Sequence, residues 1–284
     1  MASNSNRPAS IAPCCLTIAG SDSGGNAGVQ ADLRAFHAYG LHGCTVFAAL
    51  TAQNPSGVSA AMAVPADFVA AQLDAVIGVY SIRALKTGML ADATAIEAIA
   101  DRLKSHPEIA KVVDPVMIAT SGARLVSEDA VEAIKRRLLP LATVVTPNLP
   151  EAEALCDHAV DPGEQRAGDA AHAAELAREI CGRYGCATVV KGGHGSGAAA
   201  VDVLCRRLPD GSLSVREFSL PWIERPVSTH GTGCTFAAAL AAELALGRGL
   251  EEAVAGAKEH VHRAIAGAYL VGEGCGVLGF APMG

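Results

Sequence analysis

Short apolar runs bounded by glycine, proline and small polar residues alternate with segments of helical period along most of the chain. Buried strands and amphipathic helices leave these two signatures. Cys15-Leu-Thr-Ile-Ala19 predicts a strand, followed by a glycine-rich loop and a helix over 29–39. Further strands are expected over 44–49, 84–88, 110–114, 143–146 and 187–191. Helices are expected over 65–78, 92–103, 128–138, from Pro150 onward, and over 170–183. Val201-Asp-Val-Leu-Cys205 and 213–220, joined by Pro209-Asp210-Gly211, predict a β-hairpin. Apolar residues at 250, 253, 254, 257, 261, 264, 265 and 268 form one stripe and predict a helix over 250–270.

Alternation at this spacing implies right-handed βαβ units, and hence an α/β fold with a mostly parallel central sheet and helices on both faces. Neither an internal repeat nor a long linker divides the sequence. One domain is expected over 13–284, preceded by a polar, disordered extension over 1–12. That extension lacks the apolar middle of a signal peptide. Such sheets bind ligands beyond the carboxyl ends of their strands. The strand ends carry Gly20-Ser-Asp-Ser-Gly-Gly25, Gln53-Asn54, Lys86-Thr-Gly-Met89, Asp114-Pro-Val-Met117, Thr146-Pro-Asn148-Leu-Pro-Glu151 and Lys191-Gly-Gly-His194. These groups converge on one edge.

Composition narrows the function classes. A net charge of −7 argues against a nucleic-acid or membrane-surface binder. The basic run Lys135-Arg136-Arg137 is expected to be the solvated last turn of a helix. No apolar stretch approaches the ~20 residues of a membrane helix. The nine cysteines are odd in number and show no C-x-x-C spacing, which predicts reduced core residues in a cytoplasmic protein rather than disulfides or zinc. No lysine follows a glycine, so the P-loop pattern is absent. The glycines at 193, 195 and 197 lead into a strand rather than a helix, against a dinucleotide fold, and no G-x-S-x-G elbow occurs.

One segment points to phosphoryl transfer. His230-Gly231-Thr232-Gly233-Cys234-Thr235 turns into a long alanine-rich helix. Glycine lets the backbone approach a ligand, and the first N–H groups of a helix are free and positively polarised. Together they make an anion site. Cys234 adds a side chain able to lose a proton, although a cysteine at such a place is often only a small core residue.

These motifs, in this order, closely resemble the hydroxymethylpyrimidine/phosphomethylpyrimidine kinases of thiamine biosynthesis, in the ribokinase-like superfamily. The motifs are Gly20 to Leu33, Ala52-Gln53-Asn54, Lys86 to Leu90, Val113 to Met117, Thr146 to Glu151, Val190 to His194 and His230 to Thr235; the likeness runs over roughly 13–275. Val227-Ser228 stand where relatives often carry an asparagine, and Thr120 where lysine is common.

The resemblance implies ATP, Mg²⁺ and successive phosphorylation of a pyrimidine alcohol and its monophosphate, commonly by a homodimer. It places Asp32 on the substrate's hydroxymethyl or amino group, Gln53 on the ring edge and Met89 on the ring face. The amide of Gln53 both gives and accepts hydrogen bonds, as an aminopyrimidine edge requires. A pyridoxal kinase on the same scaffold is the alternative.

Glu151 is assigned to the water shell of Mg²⁺, with Asp114 as a second candidate, and Asn148 to a supporting nucleotide contact. Glu151 also suits a helix's first turn on dipole grounds alone. Lys191 ends an apolar strand, where a phosphate partner would relieve the cost of an unpaired cation. The backbone of Gly231, Thr232, Gly233 and Cys234 would hold the developing negative charge. Cys234, its thiol pKa lowered by the helix N-terminus, would accept the alcohol's proton. The apolar first strand and Trp222 are candidate dimer contacts.

Overall fold

A computed structural model describes residues 11–55, 57–117, 127–158, 170–193 and 199–281. The extension expected to be disordered lies outside them up to residue 10, as do Thr120 and His194. Eleven strands are described. They are β1 (Cys14–Gly20), β2 (His42–Asn54), β3 (Gly57–Ala63), β4 (Ile82–Thr87), β5 (Ala110–Val113), β6 (Val144–Val145), β7 (Ala187–Val190), β8 (Ala199–Arg207), β9 (Leu213–Pro221), β10 (Tyr269–Gly272) and β11 (Cys275–Val277). The α-helices are α1 (Gly28–Ala38), α2 (Ala66–Ile77), α3 (Ala93–Leu103), α4 (Glu128–Ala133), α5 (Leu149–Leu155), α6 (Ala170–Tyr184), α7 (Thr232–Ala245) and α8 (Leu250–Ala266).

Nine strands form one sheet in the order β3-β2-β1-β4-β5-β6-β7-β8-β9. From β2 to β7 all neighbours are parallel, and β3, β8 and β9 add antiparallel margins. The chain leaves β1 toward β2 and returns to β4 on its other side. The strand order therefore reverses between β1 and β4, which opens a crevice there.

Side chains alternate between two cores. Leu16, Ile18, Leu85, Val113 and Val145 join α2 to α6 on one face. Cys15, Ala84, Val112, Val144 and Val189 join α1, α7 and α8 on the other. The strand period puts Thr17 and Lys86 on this second face, beneath the alanine-rich α7, which packs against β1, β4 and β5. Alanine along α7 permits that close approach. No described helix is long and apolar enough to cross a membrane.

Three local expectations need correction. The segment Gly57–Ala63 is a strand paired with an extended β2, although no strand was expected there. Its run of Val, Ser, Ala and Met lacks the alternation that marks a strand, and pairing with β2 supplies the missing hydrogen bonds. The last helix stops at Ala266, not 270, because Gly267 closes it and Tyr269–Gly272 pairs with Cys275–Val277. Lys135 is buried rather than solvated. It bonds Glu132 at 3.1 Å and Asp157, while Arg137 pairs with Asp101. All nine cysteines are free, and seven are buried.

Candidate active site

The turn expected to hold an anion leads directly into α7. Gly231 enters α7 at φ 85°, and no side chain caps the helix. A methyl group on Gly231 would overlap the carbonyl oxygen of Asn26, so the turn lies flush against the glycine-rich loop. Asp22 organises that loop. It accepts N–H bonds from Gly24 (2.8 Å), Asn26 (2.9 Å) and Ala27 (2.8 Å), and faces His230 Nε2 at 3.8 Å. Burial opposes its charge, but His230 and these N–H groups hold its pKa below the usual carboxylate range. Sequence reasoning gave Asp22 and His230 no role; an aspartate among small loop residues was the available signal.

Gln53 lies near the end of β2 and Met89 just beyond β4, the two strands that flank β1. The Ser23 hydroxyl donates to the Gln53 carbonyl at 2.7 Å and accepts its N–H at 2.8 Å, which ties the loop to β2. The Gln53 amide oxygen accepts from Thr51 at 3.3 Å. Met89 packs over Gly20, whose missing side chain makes room for its methyl group. Both side chains are half-buried.

Asp32 is not placed for direct substrate contact. It has no exposed surface, and its two oxygens take Lys86 Nζ at 3.0 and 2.9 Å and the Thr17 hydroxyl at 2.6 Å. The reason is α1 packing on β1: one helix face must meet the sheet, and Asp32 lies on it opposite Thr17. Lys86 is also fully buried, and burial works most strongly against its charge, but Asp32, together with Cys234 and Asp114, keeps its pKa above the ordinary lysine value. A lone lysine in the apolar run Ile82-Arg-Ala-Leu-Lys86 was the sequence signal for this pair.

A second pair lies beside it. Lys191 Nζ meets Asp114 Oδ1 at 2.8 Å, and Thr146 donates to the same oxygen at 3.2 Å. Lys191 is thus already paired with a carboxylate, which removes the argument that only a phosphate could relieve its burial. Burial works against its charge, but Asp114 and Glu151 hold its pKa up. Lys191 Nζ also comes within 3.5 Å of where a Cβ on Gly233 would stand, so it borders the α7 turn.

Asn148 and Glu151 form a reciprocal cap on α5. Asn148 Oδ1 accepts the Glu151 N–H at 2.9 Å, and Glu151 Oε2 accepts the Asn148 N–H at 2.9 Å. Asn148 thereby orients Glu151. Burial pushes the Glu151 carboxyl up to about 7, with Asp114 adding to it and Lys191 opposing.

Cys234 departs from expectation in its acidity. Burial pushes the thiol up and Asp32 and Asp114 add to that, against Lys86 and an N–H from Gly28. The helix N-terminus does not outweigh the loss of solvent, so the thiol pKa lies above its ordinary value.

Comparisons with known proteins converge on one family. The family model described as phosphomethylpyrimidine kinase matches residues 22–279. A hydroxymethylpyrimidine/phosphomethylpyrimidine kinase of Rhizobium meliloti is 46% identical over 268 residues, covering 92% of this chain and 94% of that protein. The structure is similar to a phosphomethylpyrimidine kinase from Clostridium difficile, with TM-score 0.73 and 35% identity over 89% of this chain and 99% of that one. It is also similar to an ADP complex of Bacillus subtilis pyridoxal kinase, with TM-score 0.83 and 33% identity over 95% and 98%.

Proposed function

Because the chain belongs to the phosphomethylpyrimidine kinase family, we propose that it phosphorylates 4-amino-5-hydroxymethyl-2-methylpyrimidine, and then its monophosphate, in thiamine biosynthesis. It is an ATP-using phosphotransferase with a ribokinase-like α/β fold. The observation that carries the reading is the uncapped start of α7, whose Gly233 lies against the Lys191–Asp114 pair at the carboxyl edge of the sheet.

Phosphoryl transfer depends on positioning and on stabilising charge. The N–H groups of Gly231, Gly233 and Cys234 hold the negative charge that develops on the transferred group, whereas the Thr232 N–H is already donated to the Thr229 carbonyl at 3.4 Å. Lys191, shared between Asp114 and the phosphates, neutralises the nucleotide. Cys234, as thiolate, accepts the proton of the attacking hydroxyl; that oxygen bonds to phosphorus while the bond to ADP breaks. Gln53 reads the ring edge and Met89 packs on the ring face. Asp32 supports the site from beneath through Lys86.

Asp114 and Glu151 fit a divalent cation in charge, since the two carboxylates share the single lysine. They would hold Mg²⁺ through its waters, with Asn148 orienting Glu151. The ion's chemistry is to offset phosphate charge. A proton on Glu151 competes with it. The apparent Mg²⁺ requirement of the wild type should therefore rise as pH falls below about 7, by up to about tenfold per unit. Glu151→Gln should need more Mg²⁺ at every pH and lose that slope. Mg²⁺ titrations of turnover at pH 6 and 8 check this, and a normal Glu151→Gln curve removes the assignment.

The pyrimidine reading is tested by a coupled ATP turnover assay with the pyrimidine alcohol and pyridoxal side by side. The pyridoxal kinase likeness makes the second substrate the relevant competitor. Gln53→Leu should raise KM for the pyrimidine about 5- to 150-fold, the equivalent of ~1–3 kcal/mol for unpaired polar groups, and leave KM for ATP nearly unchanged. Equal pyrimidine kinetics would take Gln53 out of the site.

We place the enzyme in the cytoplasm, a reducing compartment that suits nine free thiols, and expect no nucleic-acid or membrane partner. A homodimer is proposed through the exposed apolar residues Leu50, Met62 and Phe68 around the β2–β3 hairpin. The first strand cannot serve as a dimer contact, because β1 is central and buried throughout. Light scattering on the purified protein should give twice the 28.8 kDa chain mass.

A further inference from the structure

We propose that Asp202, held by Lys258, is a positioning residue for the nucleotide: its carboxylate fixes the backbone just after Lys191 and so aims that lysine at the phosphates. The inference rests on the proposed placement of Lys191 on the nucleotide and deepens it.

The end of β7 is held differently on its two sides. Toward β6, the Lys191 N–H donates to the Pro147 carbonyl at 2.9 Å, and Lys191 bridges in parallel to Asn148. Toward β8, the described antiparallel register ends with Val190 opposite Val203. Two residues on, the Gly192 N–H turns to a side chain, and Asp202 Oδ1 accepts it at 2.9 Å. The approach is close. A Cβ on Gly192 would lie 1.8 Å from the Val201 carbonyl oxygen, so the chain passes β8 here only as glycine.

The second oxygen of Asp202 is also engaged. Lys258 Nζ, from α8, donates to Asp202 Oδ2 at 2.9 Å, and both residues are buried. Asp202 alternates with Leu204 on the sheet face that α7 and α8 cover, and Lys191 alternates with Val189 on the same face. A carboxylate there without Lys258 would compete with Asp114 and the phosphates for the Lys191 ammonium. Paired with Lys258, it leaves Lys191 to Asp114 at 2.8 Å.

A buried ion pair seldom adds net stability over apolar residues of the same size. A pair that only fastened α8 to the sheet could be replaced by leucine and methionine without loss of function. What that replacement removes is the acceptor for Gly192, and with it the direction of Lys191.

Two double variants of the full-length protein separate these roles. The first, Asp202→Asn with Lys258→Met, removes both charges and keeps an oxygen for the Gly192 N–H. The second, Asp202→Leu with Lys258→Met, removes the same charges, keeps the shape and leaves that N–H without an acceptor. By calorimetry the second should bind ADP about tenfold more weakly than wild type, with KM for ATP rising in proportion, as for one lost charge-assisted hydrogen bond. Its KM for the pyrimidine should stay within about twofold, because the proposed ring contacts lie at β2 and β4, away from Gly192. The first should bind ADP within about threefold of wild type, since a neutral amide still accepts the bond. Thermal melting checks that both are folded. Equal ADP affinity in the two folded variants overturns the proposal, whether both are normal or both weakened. So does a second variant that loses ATP and pyrimidine alike. The placement of Lys191 on the nucleotide fails separately, by unchanged ADP affinity in Lys191→Met.

Discussion

Replacing Cys234 by serine is expected to lower kcat by ~10²–10⁴-fold, the contribution of a positioned general base, while KM for ATP changes little. Serine keeps the size and the backbone N–H, so the anion site survives the substitution. What is lost is an atom that takes on a full negative charge far more readily than a serine oxygen does.

The raised thiol gives this prediction a pH signature. A base with its pKa held above the ordinary value of 9.0 is scarce at neutral pH. Its deprotonated fraction grows about tenfold per unit as pH rises toward that value. Wild-type kcat should therefore keep climbing from pH 7 to 9, where a lowered thiol would show a plateau. The serine variant should be slow and nearly flat over the same range. Steady-state kinetics of both proteins across that range decide the matter. A serine variant within a few fold of wild type leaves the backbone anion site as the whole of the catalysis.

Gly231→Ala is expected to be the most damaging single change in the backbone. Its φ of 85° is left-handed, which costs a residue with a Cβ roughly 1–2 kcal/mol. The added methyl would also overlap the Asn26 carbonyl oxygen, so the turn must move away from the glycine-rich loop. That movement tilts the first N–H groups of α7 off the transferred group. Loss of one such donor costs ~10²–10³-fold in kcat.

The same displacement disturbs the loop that borders Gln53, so KM for the pyrimidine should rise as well. Gly233→Ala is a useful contrast. Its φ is not left-handed, and the new methyl meets only Lys191 Nζ at 3.5 Å, an ordinary contact, so its loss should be smaller. Kinetics of both variants with thermal melting of each will separate a misplaced anion site from general loosening. Equal kcat in a well-folded Gly231→Ala protein would show that charge develops elsewhere.

The sequence by itself determined the class of fold and the order of its chemistry. Strand and helix periods are local properties, and so are the turn glycines, the Asn148–Glu151 cap spacing and the Gly-Thr-Gly entry to α7. Each is written in a few consecutive residues, so the parallel sheet and the edge that carries the site were legible. The β3 strand escaped because its pairing with β2, not its own pattern, makes it a strand.

What only the tertiary structure decided is which charges meet. Asp32 and Lys86 are 54 positions apart, and Asp114 and Lys191 are 77 apart. No spacing rule joins them. Packing of α1 and α7 on the sheet carries Asp32 away from solvent and onto Lys86, and the ends of β5 and β7, on either side of β6, bring Asp114 to Lys191. The acidity of Cys234 was beyond the sequence for the same reason. A helix terminus lowers a thiol by a local dipole, but burial and two distant carboxylates raise it, and their balance exists only once the chain has closed around the site.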